Sequence, residues 1–306
     1  MVFIKLLKIT LLISLIFLQT SAKANQKILA VQSIKLKPYE EALKGFKMTC
    51  KCDVNEIFIT DIDQADVVKE VRKTIPTIIL AIGIDALAKV KRIKDTPIIY
   101  LMVPNPGQEL SGEQNITGVN ISIPPEKHLK TLKEVHLHDK RVGLLYDPRK
   151  TGHFVKRAEK VAHTMGINLI TKQVNSSKDI PKLLARMKNK IDLFWMIPDP
   201  TVITPETVTY LFYFSIDNKI PVLTFSDKYL KIGAFMSISI DPFDLGKQAG
   251  EIAKKILSGT NVTNIPLVEA RTAVVSINRT VAKKMGIIIN DTMSKKFRIF
   301  EQSKGE

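Results

Sequence analysis

Cysteine is close to absent from this chain: its 306 residues hold two, Cys50 and Cys52, in the run CKC. That scarcity excludes a disulfide-framed mini-domain and a thiolate metal site. A bridge between the two would close a strained ring across one residue, and no further metal ligand stands near them. They are taken as a local feature of the 47–53 connection with no function. Acidic residues are also scarce, 30 against 46 basic, giving a formal net charge of +16. Such an excess raises nucleic acid or an anionic membrane as partners. The lysines, however, are spread through stretches such as KVKRIKD and KRAEKVAH without interleaved aromatics. That pattern describes a solvated basic surface and argues against a nucleic-acid partner.

Catalytic signatures are missing as well. GKQAG at 246–250 lacks the upstream glycine and the Ser/Thr after lysine that a P-loop needs. No G-x-S-x-G, H-E-x-x-H or Cys/His nucleophile pattern occurs. All five histidines fall between His128 and His163, and the HLH pair His136/His138 has no carboxylate or thiol at ligand spacing to complete a metal site. Neither an enzyme, a cofactor nor a bound metal is expected.

What is present begins with MVFIKLLKITLLISLIFLQTSAKA. Lys5 and Lys8, an apolar run from Ile9 to Leu18 and the small-x-small end Ala22-Lys23-Ala24 make a secretory signal peptide over 1–24, cleaved after Ala24. Its apolar core is too short to span a membrane, and no later stretch approaches the ~20 apolar residues required. No cysteine at the cleavage point offers a lipid anchor. Without Lys5, Lys8 and Lys23 the balance becomes 43 basic against 30 acidic, or +13. An exported, soluble, periplasmic protein is expected, long enough for two core-forming lobes.

The remaining chain alternates short apolar runs with amphipathic stretches. KILAVQ, VNEIFIT, TIILAIG and PIIYLMV are separated by helical segments. The same alternation restarts with RVGLLYD, INLITKQV, IDLFWMIPD, IPVLTFSD and GAFMSISID. The predicted architecture is α/β: two doubly wound parallel sheets with helices on both faces. Ligands of such sheets sit at the C-terminal strand tips and at domain interfaces, so a cleft between the lobes is the expected site.

The ordered pieces PYEEALKGFK (38–47), AIGIDALAKV (81–90), QNITGVNIS (114–122), VGLLYDP (142–148), IPDPTVITPETV (197–208), the long stretch 220–259 and VVSINRTVAKKMGI resemble one family throughout the mature chain. It is the substrate-binding proteins of ABC transporters with the type I periplasmic two-lobe fold, in the branch with tryptophan- and tyrosine-binding components. The resemblance implies a hinged clamp with three crossovers. Lobe one would comprise 25–123 plus 242–260, and lobe two 140–240 plus 278–290. The spans 124–139 and 261–277 would form the hinge. It further implies a monomer that binds a small polar solute, an aromatic or branched amino acid as the first choice, and hands it to a membrane permease. An extracytoplasmic sensor would use the same clamp. A DNA-binding regulator shares the core, but here a signal peptide stands in place of the helix-turn-helix. Two departures stand out: CKC after a shortened first segment, and Asn105 where relatives commonly carry Asp before Pro.

Candidate ligand contacts follow from the strand tips. In lobe one they are Ser33, Gly83, Ile84, Asp85 and Asn105 with its neighbour Pro104. Gly83 would turn the backbone into a helix whose free N–H groups could hold a carboxylate. Asp85 could hold an ammonium or simply cap that helix. In lobe two they are Tyr146, Asp199, Thr201, Ser226 and Asp241, with Asp147 and Asp227 alongside. Asp199, held between prolines, suits a ligand contact or a plain turn. Asp241 could cap the following helix or face the cleft. Thr204 and Glu206 are read as a helix start, and Trp195 as core.

Overall fold

A computed structural model describes residues 27–61, 66–135, 137 and 141–301. Residues 1–24, expected to be a leader cleaved after Ala24, and the His136/His138 pair lie outside the described residues.

The first half consists of β1 (Lys27–Gln32), α1 (Lys37–Cys50), β2 (Asp53–Phe58), α2 (Val67–Thr74), β3 (Ile78–Ile82), α3 (Ile84–Val90), β4 (Ile98–Leu101) and β5 (Ile116–Asn120). The second half runs through α4 (Pro125–Glu134), β6 (Val142–Tyr146), α5 (Pro148–Met165), β7 (Leu169–Gln173), α6 (Ile180–Met187), β8 (Leu193–Trp195), α7 (Pro205–Asn218), β9 (Val222–Thr224) and β10 (Met236–Ile240). The chain then supplies α8 (Pro242–Leu257), β11 (Val268–Glu269), β12 (Ala273–Asn278), α9 (Arg279–Lys284), α10 (Asp291–Lys296) and β13 (Arg298–Phe300).

Two sheets result, a six-stranded one in the order β11-β5-β4-β3-β1-β2 and a seven-stranded one in the order β13-β12-β10-β9-β8-β6-β7. Every pairing is parallel except β10 with β12. β3 and β4 are buried at every position, as strands covered by helices on both faces must be. The chain passes between the sheets after β5, at Asp241 and after β11. This is the doubly wound α/β architecture that the alternation of apolar runs implies, with the three crossovers that the family resemblance implies.

Although α8 follows a strand of the second sheet, it packs along α1 in the first half. Glycines permit that approach: a Cβ on Gly246 would lie 1.8 Å from the Ala42 carbonyl oxygen, and one on Gly45 2.0 Å from that of Phe243. The two spans expected as hinge carry structure of their own. Leu129 and Leu132 give α4 an apolar stripe that is buried against α5 and the second sheet. Within 261–277, Ala273–Ile277 pairs with β10, while Val268–Glu269 joins the first sheet.

Trp195 is core, 1% exposed, between His128 at 5.1 Å and Phe154 at 5.7 Å. Cys50 and Cys52 are bonded, with Cα atoms 5.2 Å apart. This corrects the expectation that a single intervening residue keeps them separate. Lys51, in the left-handed region at φ 55 where α1 ends, folds the chain back far enough for the sulfurs to meet.

A candidate ligand cleft at the strand tips

In the first half, Ser33 follows β1 and is buried. Its N–H donates to Ile82 O at 2.9 Å, and its hydroxyl accepts from Ala86 N at 3.0 Å. Ser33 thus ties the tip of β1 to the first turn of α3, and one of the N–H groups expected to be free for a carboxylate is taken. Gly83 adopts φ 92, a conformation glycine reaches without a Cβ penalty. A Cβ there would stand 2.5 Å from Ser33 Oγ and 2.7 Å from the Tyr39 hydroxyl, so Tyr39 and Ser33 converge on this glycine. Asp85 is exposed in the first turn of α3 and Ile84 is half-buried beside it. The Tyr39 phenol is raised above its ordinary value by burial first and by the charge of Asp85 second. Tyr39 is the residue that the sequence reading passed over. Its only signal is an aromatic directly after Pro38 at the head of the first helix. Pro104 and Asn105 are exposed beyond β4, with Asn105 left-handed at φ 46.

In the second half the tips are knitted to one another. Asp199 is fully buried and accepts from Asp147 N at 2.8 Å, Thr151 Oγ1 at 2.5 Å, Thr201 N at 2.9 Å and Val202 N at 3.2 Å. Of its two readings, ligand contact or turn, the structure supports the turn, because the carboxylate is saturated from within the protein. Asp147 caps α5, receives Thr201 Oγ1 at 2.8 Å, and is gripped by Arg149 through Nε at 3.0 Å and Nη2 at 2.8 Å. The guanidinium bond, with those from Thr201 and the Arg149 N–H, holds the Asp147 carboxyl well below the usual range despite its burial.

Tyr146 is half-buried and its hydroxyl accepts from Gln173 Nε2 at 3.4 Å. Ser226 is half-buried where the chain leaves β9. Asp227 beside it accepts Ser237 Oγ at 2.5 Å and the hydroxyls of Ser239 and Ser276 at 3.3 Å each. Asp241 takes the capping role of its two readings, accepting from Asp244 N at 3.2 Å. Thr204 caps α7 in a reciprocal box with Thr207. Tyr39, Asp85 and Asn105 in the first half and Tyr146 and Ser226 in the second are exposed or half-buried, whereas the hydroxyl and N–H of Thr201 are spent on Asp147 and Asp199. Among the described residues no group of three or more His, Cys, Asp or Glu side chains is placed to hold a metal. No helix among them is long and apolar enough to cross a membrane.

Two parallel-rich sheets with polar tips and three crossovers define a two-lobe solute-binding fold. Residues 40–298 match the ABC transporter substrate binding protein family, and the chain belongs to it. The family consists of binding proteins, typically extracytoplasmic, and not of enzymes. Among relatives, the Tyrosine-binding protein of Clostridioides difficile is 24% identical over 208 residues, 65% of this chain and 60% of that protein; the match thus spans less than two thirds of that relative. The ligand-free, open structure of a Clostridium difficile substrate-binding protein with adhesive properties superposes with a TM-score of 0.73 at 20% identity, covering 91% of this chain and 100% of that one. The ABC domain of Streptococcus pneumonia in complex with L-Trp gives 0.60 at 21% identity, over 90% and 100%. These likenesses identify the type I periplasmic binding fold.

Proposed function

We propose that this chain is the periplasmic receptor of an ABC importer. It is exported by its N-terminal signal peptide, captures an amino acid with an aromatic or branched side chain, and delivers it to a membrane permease as a monomer. The observation that carries the reading is the pairing of unequal walls. One presents Tyr39 beside the exposed carboxylate of Asp85, a ring and an anion suited to a side chain and its ammonium group. The other presents hydroxyls on a framework locked by Asp147 and Asp199. Lobe one is taken as 25–123 with 242–260, and lobe two as 140–240 with 278–290. Closure of the lobes would add the second wall's contacts only in the ligand-bound form, which is what draws an open–closed equilibrium toward closure. Relatives that bind tyrosine and tryptophan support this ligand class.

Calorimetric titration of the mature protein with L-tyrosine, L-tryptophan and L-leucine tests the reading. Saturable one-to-one binding of at least one is expected, and heats no larger than dilution for all three overturn it. Calorimetry suits the question because Trp195, the one tryptophan of the sequence, is buried against His128 and Phe154.

A further inference from the structure

Arg157 lies on α5, nine residues and about 13 Å along the helix from the strand-tip end. Its guanidinium is shared. Nε donates to Glu126 Oε1 at 2.8 Å, Nη1 to Glu269 Oε1 at 2.9 Å and Nη2 to Glu269 Oε2 at 3.4 Å. Glu126 is on α4, which packs on α5 and against the second sheet. Glu269 is on β11, hydrogen-bonded into the first sheet opposite Asn120. The Arg157–Glu269 pair therefore joins the two lobes across the hinge. Beside it, Lys127 donates to the carbonyl oxygens of Ala270 and Arg271 in the third crossover. Arg271 is in turn clamped to Asp244 and Glu251 of α8.

These two sets of contacts differ in kind. The Arg271 cluster and the Lys127 bonds tie the crossovers to their own neighbours. Arg157 reaches instead from the flank of one lobe to the edge strand of the other, a span that any rotation of the lobes must alter. Among the described residues, no hydrogen bond joins a strand tip of one half to a strand tip of the other. The pair is thus formed while the walls of the cleft are unconnected.

We propose that Arg157 and Glu269 form a hinge latch that favours the separated arrangement of the lobes and thereby tunes ligand affinity. The proposal rests on the reading of the chain as a closing solute receptor. Apparent affinity scales with the population of the binding-competent form, so a contact that favours the open form weakens binding. Arg157 and Glu269 side chains are 39% and 43% exposed, which places the latch among pairs that water and salt screen. It acts as a trim on affinity, not as a lock.

The test compares wild type with Glu269→Gln, Glu126→Gln and the charge swap Arg157→Glu/Glu269→Arg made in the Glu126→Gln background, where no carboxylate opposes the one introduced at 157. Small-angle scattering of the ligand-free proteins and calorimetry with L-tyrosine and L-tryptophan are the readouts, at about 20 mM and about 500 mM salt. Glu269→Gln is expected to lower the radius of gyration at low salt and to raise affinity about two- to fivefold. High salt should bring wild type to the same values, the charge swap should restore wild-type behaviour, and Glu126→Gln should leave the scattering unchanged. Unchanged scattering of Glu269→Gln at low salt, or weaker binding, overturns the latch, even if its melting temperature falls. Should neither amino acid bind wild type, the receptor reading loses its ligand, and ligand-free scattering alone then decides the latch.

Discussion

At the residue scale, side chains that look alike in sequence serve different purposes, and burial separates them. Asp85 and Asp199 both follow a strand tip, yet Asp85 is exposed while Asp199 is saturated by four donors. Asp199→Ala should strand the buried N–H of Asp147 and the Thr151 hydroxyl, destabilising the protein by about 3 kcal/mol, since each unpaired buried group costs 1–3 kcal/mol. A urea-midpoint shift of that size, with amino-acid affinity falling only in proportion to unfolding, is the expected result. Asp85→Asn should do the reverse, leaving the midpoint within about 0.5 kcal/mol of wild type, as surface changes do, while weakening amino-acid binding at least tenfold. Equal midpoints and equal affinities for Asp85→Asn would remove it from the cleft. None of this division was legible beforehand. Asp147 and Asp199 are 52 residues apart in sequence, and their bond exists only because β6 and β8 lie side by side.

At the element scale, the strands were legible because a doubly covered strand must be apolar along its length, as Ile78–Ile82 and Ile98–Leu101 are. The short pieces near the crossovers were not. Val268–Glu269 has two residues and no periodicity of its own, and it becomes a strand only by pairing with β5. The bond between Cys50 and Cys52 depended on one left-handed residue, Lys51, for which the sequence carries no signal. The packing of α8 on α1 is the tightest joint between elements, and its glycines make it testable. Gly246→Ala would press a methyl group into the Ala42 carbonyl and should cost 2 kcal/mol or more, roughly the scale of overpacking. Gly107→Ala, with nothing within 4 Å of its Cβ, is the matched control and should shift the denaturation midpoint by less than about 0.5 kcal/mol. If both variants shift equally, the α1–α8 contact is looser than its geometry indicates.

At the scale of the whole molecule, the lobes, their order and the family could be read from the sequence because they rest on repeated patterns. The charge state of the core could not, because it depends on what encloses each group. His128 sits on α4 against Trp195 and Phe154, with Nδ1 3.2 Å from Pro124 O. Burial lowers its pKa from the ordinary 6.5 to about 4, the carbonyl contact opposing this only partly. The folded protein therefore keeps the ring neutral where the unfolded chain takes up a proton, so stability is constant above pH 6.5 and falls as the pH drops toward 4. The lowered carboxyls of Asp147 and Asp244 act with the same sign but in a more acidic window. Their contribution is complete above the ordinary carboxylate range and is lost only in stronger acid, so pH 5.5 isolates the histidine. Between pH 7.5 and 5.5 the ring should cost about 1.3 kcal/mol of unfolding free energy, and about 3 kcal/mol by pH 4. Urea titrations of wild type and His128→Leu at pH 7.5 and 5.5 measure it. The wild-type midpoint should fall while that of His128→Leu stays level; parallel falls in the two would mean that the imidazole reaches solvent and is protonated in the folded protein.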